Sequence, residues 1–374
     1  MESGENRAGR PSGLSKFELG GLGLVVVLTV LAGIARYSSG FPQTLAFVLA
    51  ALALAGMAWM VSTATEQIGR RFSPSVTGVL QSTIGNLPEF FVVLFALEAG
   101  HVVVAETALL GSILVNALLV LGLVMIAASW RSPAGVNPDG TKTPKGVMKF
   151  SVRLPNDTAT LLLVASFLIV LLALVNGSGD PASRHVETIS TVGAAVLLVI
   201  YLIWLPGYLR RDSSPDEREP ARISMPVAVV LLVVAGVGSA FVSDWFVHAL
   251  EPTIHTLHLS QAFAGIVIVA IAGNAVENAA GVWLAFKGKN DLAISVVKNS
   301  VAQIAAFLYP LMVLVSLLTA SHLTFALAPV YAGALGVSAI LVWQISSDGE
   351  ATVFEGSALI GVYVVLAVIA AFEN

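Results

Sequence analysis

Cysteine is absent from all 374 residues, which excludes a disulfide framework and any thiolate metal site. Charge is scarce as well. Asp, Glu, Lys and Arg together make up 11% of the chain, against about 25% in an ordinary soluble domain. No basic face or RNA-binding signature appears, so nucleic-acid binding has no support. Neither His-Glu-x-x-His nor the loop aspartates of lipid prenyl transfer occur, which leaves membrane-embedded enzyme chemistry without its residues. His101, His185, His248, His255, His258 and His322 fall near the ends of apolar stretches or in loops, where they read as interfacial groups. What is abundant is hydrophobic residues, at 56%. The expected class is an all-α polytopic membrane protein, not an enzyme and without a cofactor, whose first partner is the lipid bilayer.

Apolar stretches long enough to cross about 30 Å of hydrocarbon fall at residues 19–36, 42–64, 75–99, 102–129, 157–176, 187–208, 224–247, 261–286, 291–319, 323–345 and 352–372. The expectation is therefore eleven transmembrane helices. Residues 1–16 form a polar tail. The first stretch lacks an A-x-A cleavage site and leads on into further spans, so it reads as a helix and not as a signal peptide. Orientation follows from the cations. With a cytoplasmic N-terminus, sixteen of the nineteen Lys and Arg residues fall inside, only Arg36 and Arg184 fall outside, and Lys298 lies within the ninth stretch. The C-terminus is then outside, in what reads as the plasma membrane.

Two cytoplasmic connections are long, 132–156 and 210–223. The second carries Asp212, Asp216, Glu217 and Glu219 among arginines and reads as a solvated linker. It also divides the chain: tail and accessory helix at 1–40, five spans at 41–209, the linker at 210–223, and five spans at 224–374. Halves with an odd number of spans enter from opposite sides, the inverted-repeat layout of many secondary transporters.

The same frame recurs in each half and places a carboxylate deep in an apolar segment: Gly85-Asn86-Leu87-Pro88-Glu89 and Gly273-Asn274-Ala275-Val276-Glu277, 188 residues apart. An ionisable group in lipid is expensive and marks an ion path by default. Running in opposite directions, the two motifs meet near the membrane centre, where such folds bind substrate. Gly85 and Gly273 permit close approach or a break, and Asn86 and Asn274 offer amides to freed backbone or to an ion. Pro88 removes an amide donor one turn from Ile84. Carboxylate, amide and carbonyl oxygens together suit a hard cation such as Ca2+, with Glu89 and Glu277 as its charged ligands. Ser112 and Asn116 in the fourth stretch, and Ser300 and Gln303 in the ninth, take matching places. Such residues alone more often make interhelical hydrogen bonds, but the alignment of Ser112 with Ser300 across the repeats favours a role in the site.

The first motif with Gly111-Ser112-Ile113-Leu114-Val115-Asn116 resembles the first α-repeat of the Ca2+/H+ antiporters, within the cation/Ca2+ exchanger superfamily. The second motif, with Lys289-Asn290-Asp291-Leu292-Ala293 and Ser300-Val301-Ala302-Gln303-Ile304, resembles the second α-repeat. Ala64-Thr65-Glu66-Gln67 and Glu355-Gly356 resemble the same branch. The resemblance runs over most of the second to eleventh stretches. It implies eleven helices, exchange of Ca2+ for protons, and Glu89 and Glu277 as central carboxylates, with Glu66 and Asp244 along the ion paths. Asn278 departs from the branch, which usually has His there. Pro88 is nearer to the style of sodium-linked exchangers, and Lys298-Asn299 replaces small residues.

Two ionised glutamates with Ca2+ are neutral, and so are two protonated ones, whereas the empty ionised pair carries uncompensated charge through low dielectric. Forbidding that crossing couples the flows, at one Ca2+ for about two protons. Lys298 either snorkels to the cytoplasmic surface or enters the site, where an acid pair plus Lys would suit Na+ or a single proton. A Na+-linked exchanger is thus the rival reading, and a non-transporting scaffold or sensor the more distant one. Assembly as a homo-oligomer is left open.

Overall fold

The computed structural model describes residues 13–72, 76, 80, 83–132, 135–136, 142–143, 145–151, 153–211 and 221–373, with side chains except at 135–136, 142–143, 153–157 and 208–211. Arg7, Arg10, Ser73, Pro74, Asp212, Asp216, Glu217, Arg218 and Glu219 lie outside the described residues.

Every apolar stretch carries helix. In order these are α1 (Lys16–Tyr37), α2 (Gln43–Gly69), α3 (Leu87–Glu98), α4 (Val102–Arg131), α5 (Arg153–Gly177), α6 (Val186–Arg211), α7 (Met225–Leu257), α8 (Gln261–Gly273), α9 (Ala275–Phe286), α10 (Asn290–Ser316), α11 (Pro329–Ile345) and α12 (Val353–Ala371). Local chemistry sets several starts. Ser15 with Glu18 opens α1, and Thr352 with Glu355 opens α12, each as a reciprocal capping box. Pro88, Pro226 and Pro329 stand in the first turns of α3, α7 and α11, where a missing N–H costs nothing.

By length and composition, eight helical segments among the described residues can cross a membrane, or nine if the pair α8 and α9, bent by 63°, counts as one span. The expected eleven is not reached on that measure, for two reasons. The third and eighth stretches are interrupted at Asn86 and Asn274, leaving α3 and α9 as 12-residue helices. The tenth begins at Pro329 instead of residue 323, because 317–328 is irregular chain whose Leu323, Phe325 and Leu327 are buried. The seventh helix runs ten residues past its expected end, through Pro252 to Leu257.

Packing places α4 at the centre, its residues from Thr107 to Leu118 all buried. α4 crosses α8 through two glycines. A Cβ on Gly111 would lie 2.5 Å from the Cα of Ile266, and one on Gly265 would lie 1.9 Å from Oγ1 of Thr107. Small residues at such crossings let backbones touch, the usual basis of helix association in lipid. α2 lies along α7, with α1 against both, while α5 packs on α11 and α10.

At one end of the bundle, β3 (Val147–Lys149; β1 is Gly135–Val136 and β2 is Lys142–Thr143, paired with each other) pairs antiparallel with β4 (Glu350–Thr352). Lys149 meets Glu350 at 3.3 Å, and Asp291 accepts from the Ser151 amide at 2.5 Å. The same end holds a second tie. Arg222 binds Glu18 at 3.0 Å, its backbone N–H donates to Gln67, and Arg71 donates to the Ile223 carbonyl. The start of α1, the end of α2 and the entry to α7 are thereby fixed together.

Candidate functional site

The two Gly-Asn-x-x-Glu motifs share one geometry. Residues 83–85 are helical, Asn86 leaves the helix at φ −80°, ψ 6°, and α3 restarts at Leu87. α8 likewise ends at Gly273, Asn274 sits at φ −105°, ψ 11°, and α9 restarts at Ala275. Each Asn carbonyl then accepts the first returning bond, from Phe90 and from Asn278, both at 2.9 Å. Each Glu falls in the first turn of the restarted helix, the turn whose N–H groups have no intrahelical partner.

The motifs face one another. A Cβ on Gly85 would lie 2.9 Å from Oε1 of Glu277, and one on Gly273 would lie 3.9 Å from the Cβ of Glu89. Glycine in each motif therefore makes room for the acid of the other.

α4 and α10 close the site from either side. Asn274 Nδ2 donates to Ser112 Oγ at 2.9 Å and to the Ala270 carbonyl at 3.0 Å. Asn116 Nδ2 donates to the Ser112 carbonyl at 3.0 Å and reaches Asn274 Oδ1 at 3.4 Å. Ser300 donates to Glu277 Oε2 at 2.9 Å. Glu89 is 2% exposed, and neither of its carboxylate oxygens has a hydrogen-bond partner among the described residues. The groups facing it are Ser112, Asn274 and Glu277. Oε1 of Gln303 is also buried without a partner. Asn86 is buried at the break of its own motif. Unsatisfied buried acceptors are rare and call for a physical explanation. Here they are oxygens, two of them on Glu89 itself and one on Gln303, one helical turn beyond Ser300 on α10, a donor set suited to a hard cation or to protons.

Three π-helical segments flank the site: Val115–Val120 in α4, Ala264–Val269 in α8 and Ile304–Leu308 in α10. Such bulges collect at functional sites, and Asn116 lies within the first of them.

Contacts thus link Gly85, Glu89, Ser112, Asn116, Gly273, Asn274, Glu277 and Ser300, while Asn86 and Gln303 are their near neighbours in sequence, at the start of α3 and on α10. Glu66 is near the end of α2, paired with Arg70 at 2.7 Å. Asp244 is partly buried on α7. Lys298 does not take the surface course. It is 4% exposed and donates to Ser346 Oγ at the end of α11, so it does not snorkel to the surface. Two positions on, roughly 200° around the helix, Ser300 turns to Glu277.

Sequence reasoning passed over Ser243, whose hydroxyl donates to the Pro88 carbonyl at 3.3 Å, and left Asn278, with its buried unpartnered Oδ1, as a mere departure. Ser243 stands beside Asp244, and that adjacency was the available signal.

This fold and site have known counterparts. The model of the sodium/calcium exchanger protein family matches residues 42–206 and 227–372. The chain belongs to that family. Among curated relatives, the Ca(2+)/H(+) antiporter of Synechocystis sp. is 30% identical over 368 residues, covering 92% of this chain and 95% of its own. The Ca(2+)/H(+) antiporter ChaA of Bacillus subtilis is 29% identical, covering 88% and 92%. The solved structure of native YfkE superposes with a TM-score of 0.77 at 25% identity, over 94% of this chain and 99% of YfkE. For fold alone, the H+/Ca2+ exchanger CAX gives a TM-score of 0.72 at 16% identity, over 95% of this chain and 92% of CAX. This member of the cation/Ca2+ exchanger superfamily is thus an integral membrane protein whose fold is that of solved exchangers.

Proposed function

We propose that this chain is a secondary antiporter that extrudes Ca2+ from the cytoplasm in exchange for protons, by alternating access at Glu89 and Glu277. The observation that carries the reading is the face-to-face pair of broken helices, each presenting one glutamate to the other motif's glycine. The names of the Synechocystis and Bacillus relatives support Ca2+ and H+ as the exchanged ions. Glu277 and Glu89 supply two negative charges, and Asn274, Ser112, Ser300 and Gln303 supply neutral oxygens, so one divalent cation or two protons neutralises the site. The empty, doubly ionised pair would carry unpaired charge at a cost of several kcal/mol, and that cost couples the two flows.

The reading includes eleven spans as helix 1 plus two inverted five-helix repeats, 41–209 and 224–374, joined by 210–223. The N-terminus is then cytoplasmic, the C-terminus outside, and the plasma membrane the site of action. In support, the family model matches two stretches on either side of that linker. The end of the bundle carrying β3, β4 and the Arg222 tie is also where the cation-rich segments lie. Glu66, Asp244 and their neighbours would line the approaches. The Na+-linked alternative needed Lys298 among the acids, and its bond to Ser346 gives that no support.

Everted vesicles from expressing cells test the reading. With the lumen acidified, addition of Ca2+, Na+, K+ or Mn2+ is followed with a ΔpH dye. Ca2+ should release lumenal protons in wild type and not in Glu89→Gln or Glu277→Gln. A response to Na+ alone, or a Ca2+ response that survives in both variants, would overturn it.

A further inference from the structure

One intramembrane carboxylate has no part in the site just described. Glu106 lies on α4, six residues before Ser112, or about 9 Å along the helix axis. Its side chain is mostly buried but not sealed, and among the described residues it makes no hydrogen bond and no ion pair. An unpaired acid in that position is costly to keep, and intramembrane acids of this kind mark relays and ion paths.

Its surroundings are specific. The titratable group within electrostatic range is Tyr309 on α10, and no Lys, Arg, His or second carboxylate among the described residues acts on it. Tyr309 is fully buried, and its hydroxyl donates to the Thr324 carbonyl at 3.0 Å, in the irregular segment before α11. α4 and α10 run antiparallel through the centre. α4 carries Glu106, Ser112 and Asn116 in order, and α10 carries Ser300, Gln303 and Tyr309 in order. Both helices therefore lead polar groups from the paired glutamates towards the same end of the bundle, opposite the end held by β3 and β4. Gln303, with its buried unpartnered oxygen, lies between Ser300 and Tyr309.

We propose that Glu106 is a proton-carrying group on the outer half of the exchange path, a third carboxylate through which protons pass between the outer solution and the paired glutamates. In the inward step, a proton from outer water binds the Glu106 carboxylate to give the neutral acid. It is then released through water towards Glu89 and Glu277, leaving the carboxylate ready for the next. No bond other than O–H forms or breaks. Calcium does not need Glu106, because the site already supplies two negative charges.

This inference rests on the exchange reading, and the test separates the two. Purified protein in liposomes is assayed in two modes: Ca2+ uptake driven by a pH gradient, and exchange of labelled for unlabelled Ca2+ without a gradient, which moves no net protons. Glu106→Gln should slow the proton-coupled mode roughly tenfold or more, leave labelled-Ca2+ exchange near wild type, and flatten the dependence on outer pH. Glu106→Asp should recover most of the coupled rate. If Glu106→Gln matches wild type in coupled uptake, or loses both modes in parallel, the proposal is wrong. If wild type itself takes up Ca2+ without moving protons, the exchange reading falls instead.

Discussion

Gly111→Ala is the sharpest test of how the helices hold the site. The added Cβ would stand 2.5 Å from the Cα of Ile266, 2.7 Å from its carbonyl oxygen and 2.9 Å from its carbonyl carbon. These are backbone atoms and cannot swing aside. Carbon–carbon contacts relax to about 3.5–4.0 Å, so α4 and α8 must part by about 1 Å at this crossing. Ser112, the next residue, accepts from Asn274 at 2.9 Å, and a separation of that size takes the pair beyond hydrogen-bonding range. Overpacking costs about 1–3 kcal/mol, and leaving one buried N–H of the Asn274 amide without its acceptor, while the other keeps the Ala270 carbonyl, costs about 1–3 kcal/mol more. The expected loss is therefore about 2–6 kcal/mol. Gly333→Ala is the control, since nothing lies within 4 Å of its Cβ position and α11 gains helix propensity. Detergent-purified proteins would be melted with and without Ca2+. Gly111→Ala should melt several degrees lower and lose its stabilisation by Ca2+, while Gly333→Ala keeps both. A Gly111→Ala protein that melts and responds like wild type would refute the idea that this glycine contact holds Ser112 against Asn274.

Two further outcomes follow from single hydrogen bonds. Ser300→Ala removes the donor 2.9 Å from Glu277, and hydrogen bonds to charged groups contribute about 1.5–3 kcal/mol. Ca2+ affinity by titration calorimetry should therefore fall roughly tenfold or more, and unchanged affinity would remove Ser300 from the site. Lys298→Met breaks the bond to Ser346 and should lower the melting temperature without altering the order of cation preference in the vesicle assay. A switch between Na+ and Ca2+ in that variant would return Lys298 to the site.

Much of this was legible in the sequence because lipid removes alternatives. A chain with few charges and long apolar runs has little to form except helices, and a carboxylate inside such a run stands out. The repeated Gly-Asn-x-x-Glu frame marked the two places where helices break, and the structure puts those breaks together. Positions set by rotation around a helix were less visible. Apolar pattern cannot say which face of α10 meets α9, so Lys298 could be drawn into the site or out to the surface, and the structure buries it with a bond to Ser346. π-helical bulges shift the phase of α4, α8 and α10 with no residue to announce them. Glu106 escaped notice for a related reason: no acid stands at the matching position of the other half, and the repeated frame was the signal that singled out the acids.

The symmetry of the motifs does not extend to their hydrogen bonds. Ser112 and Ser300 occupy matching places in sequence, yet Ser300 donates to its glutamate while Ser112 accepts from Asn274, and Glu89 is left with two unpartnered oxygens. The two motifs therefore bond differently within a single structure. A site with identical bonding in both halves would have no preferred side from which to admit an ion. In this arrangement the glutamates differ in what they lack. Glu277 already has one hydroxyl donor, whereas neither oxygen of Glu89 has a hydrogen-bond partner among the described residues, although Ser112 and Asn274 face it. Under the exchange reading, filling and emptying of the site should accordingly be felt first at Glu89, with Asn274 as the group that must let go of Ser112 before the two halves can trade bonding patterns.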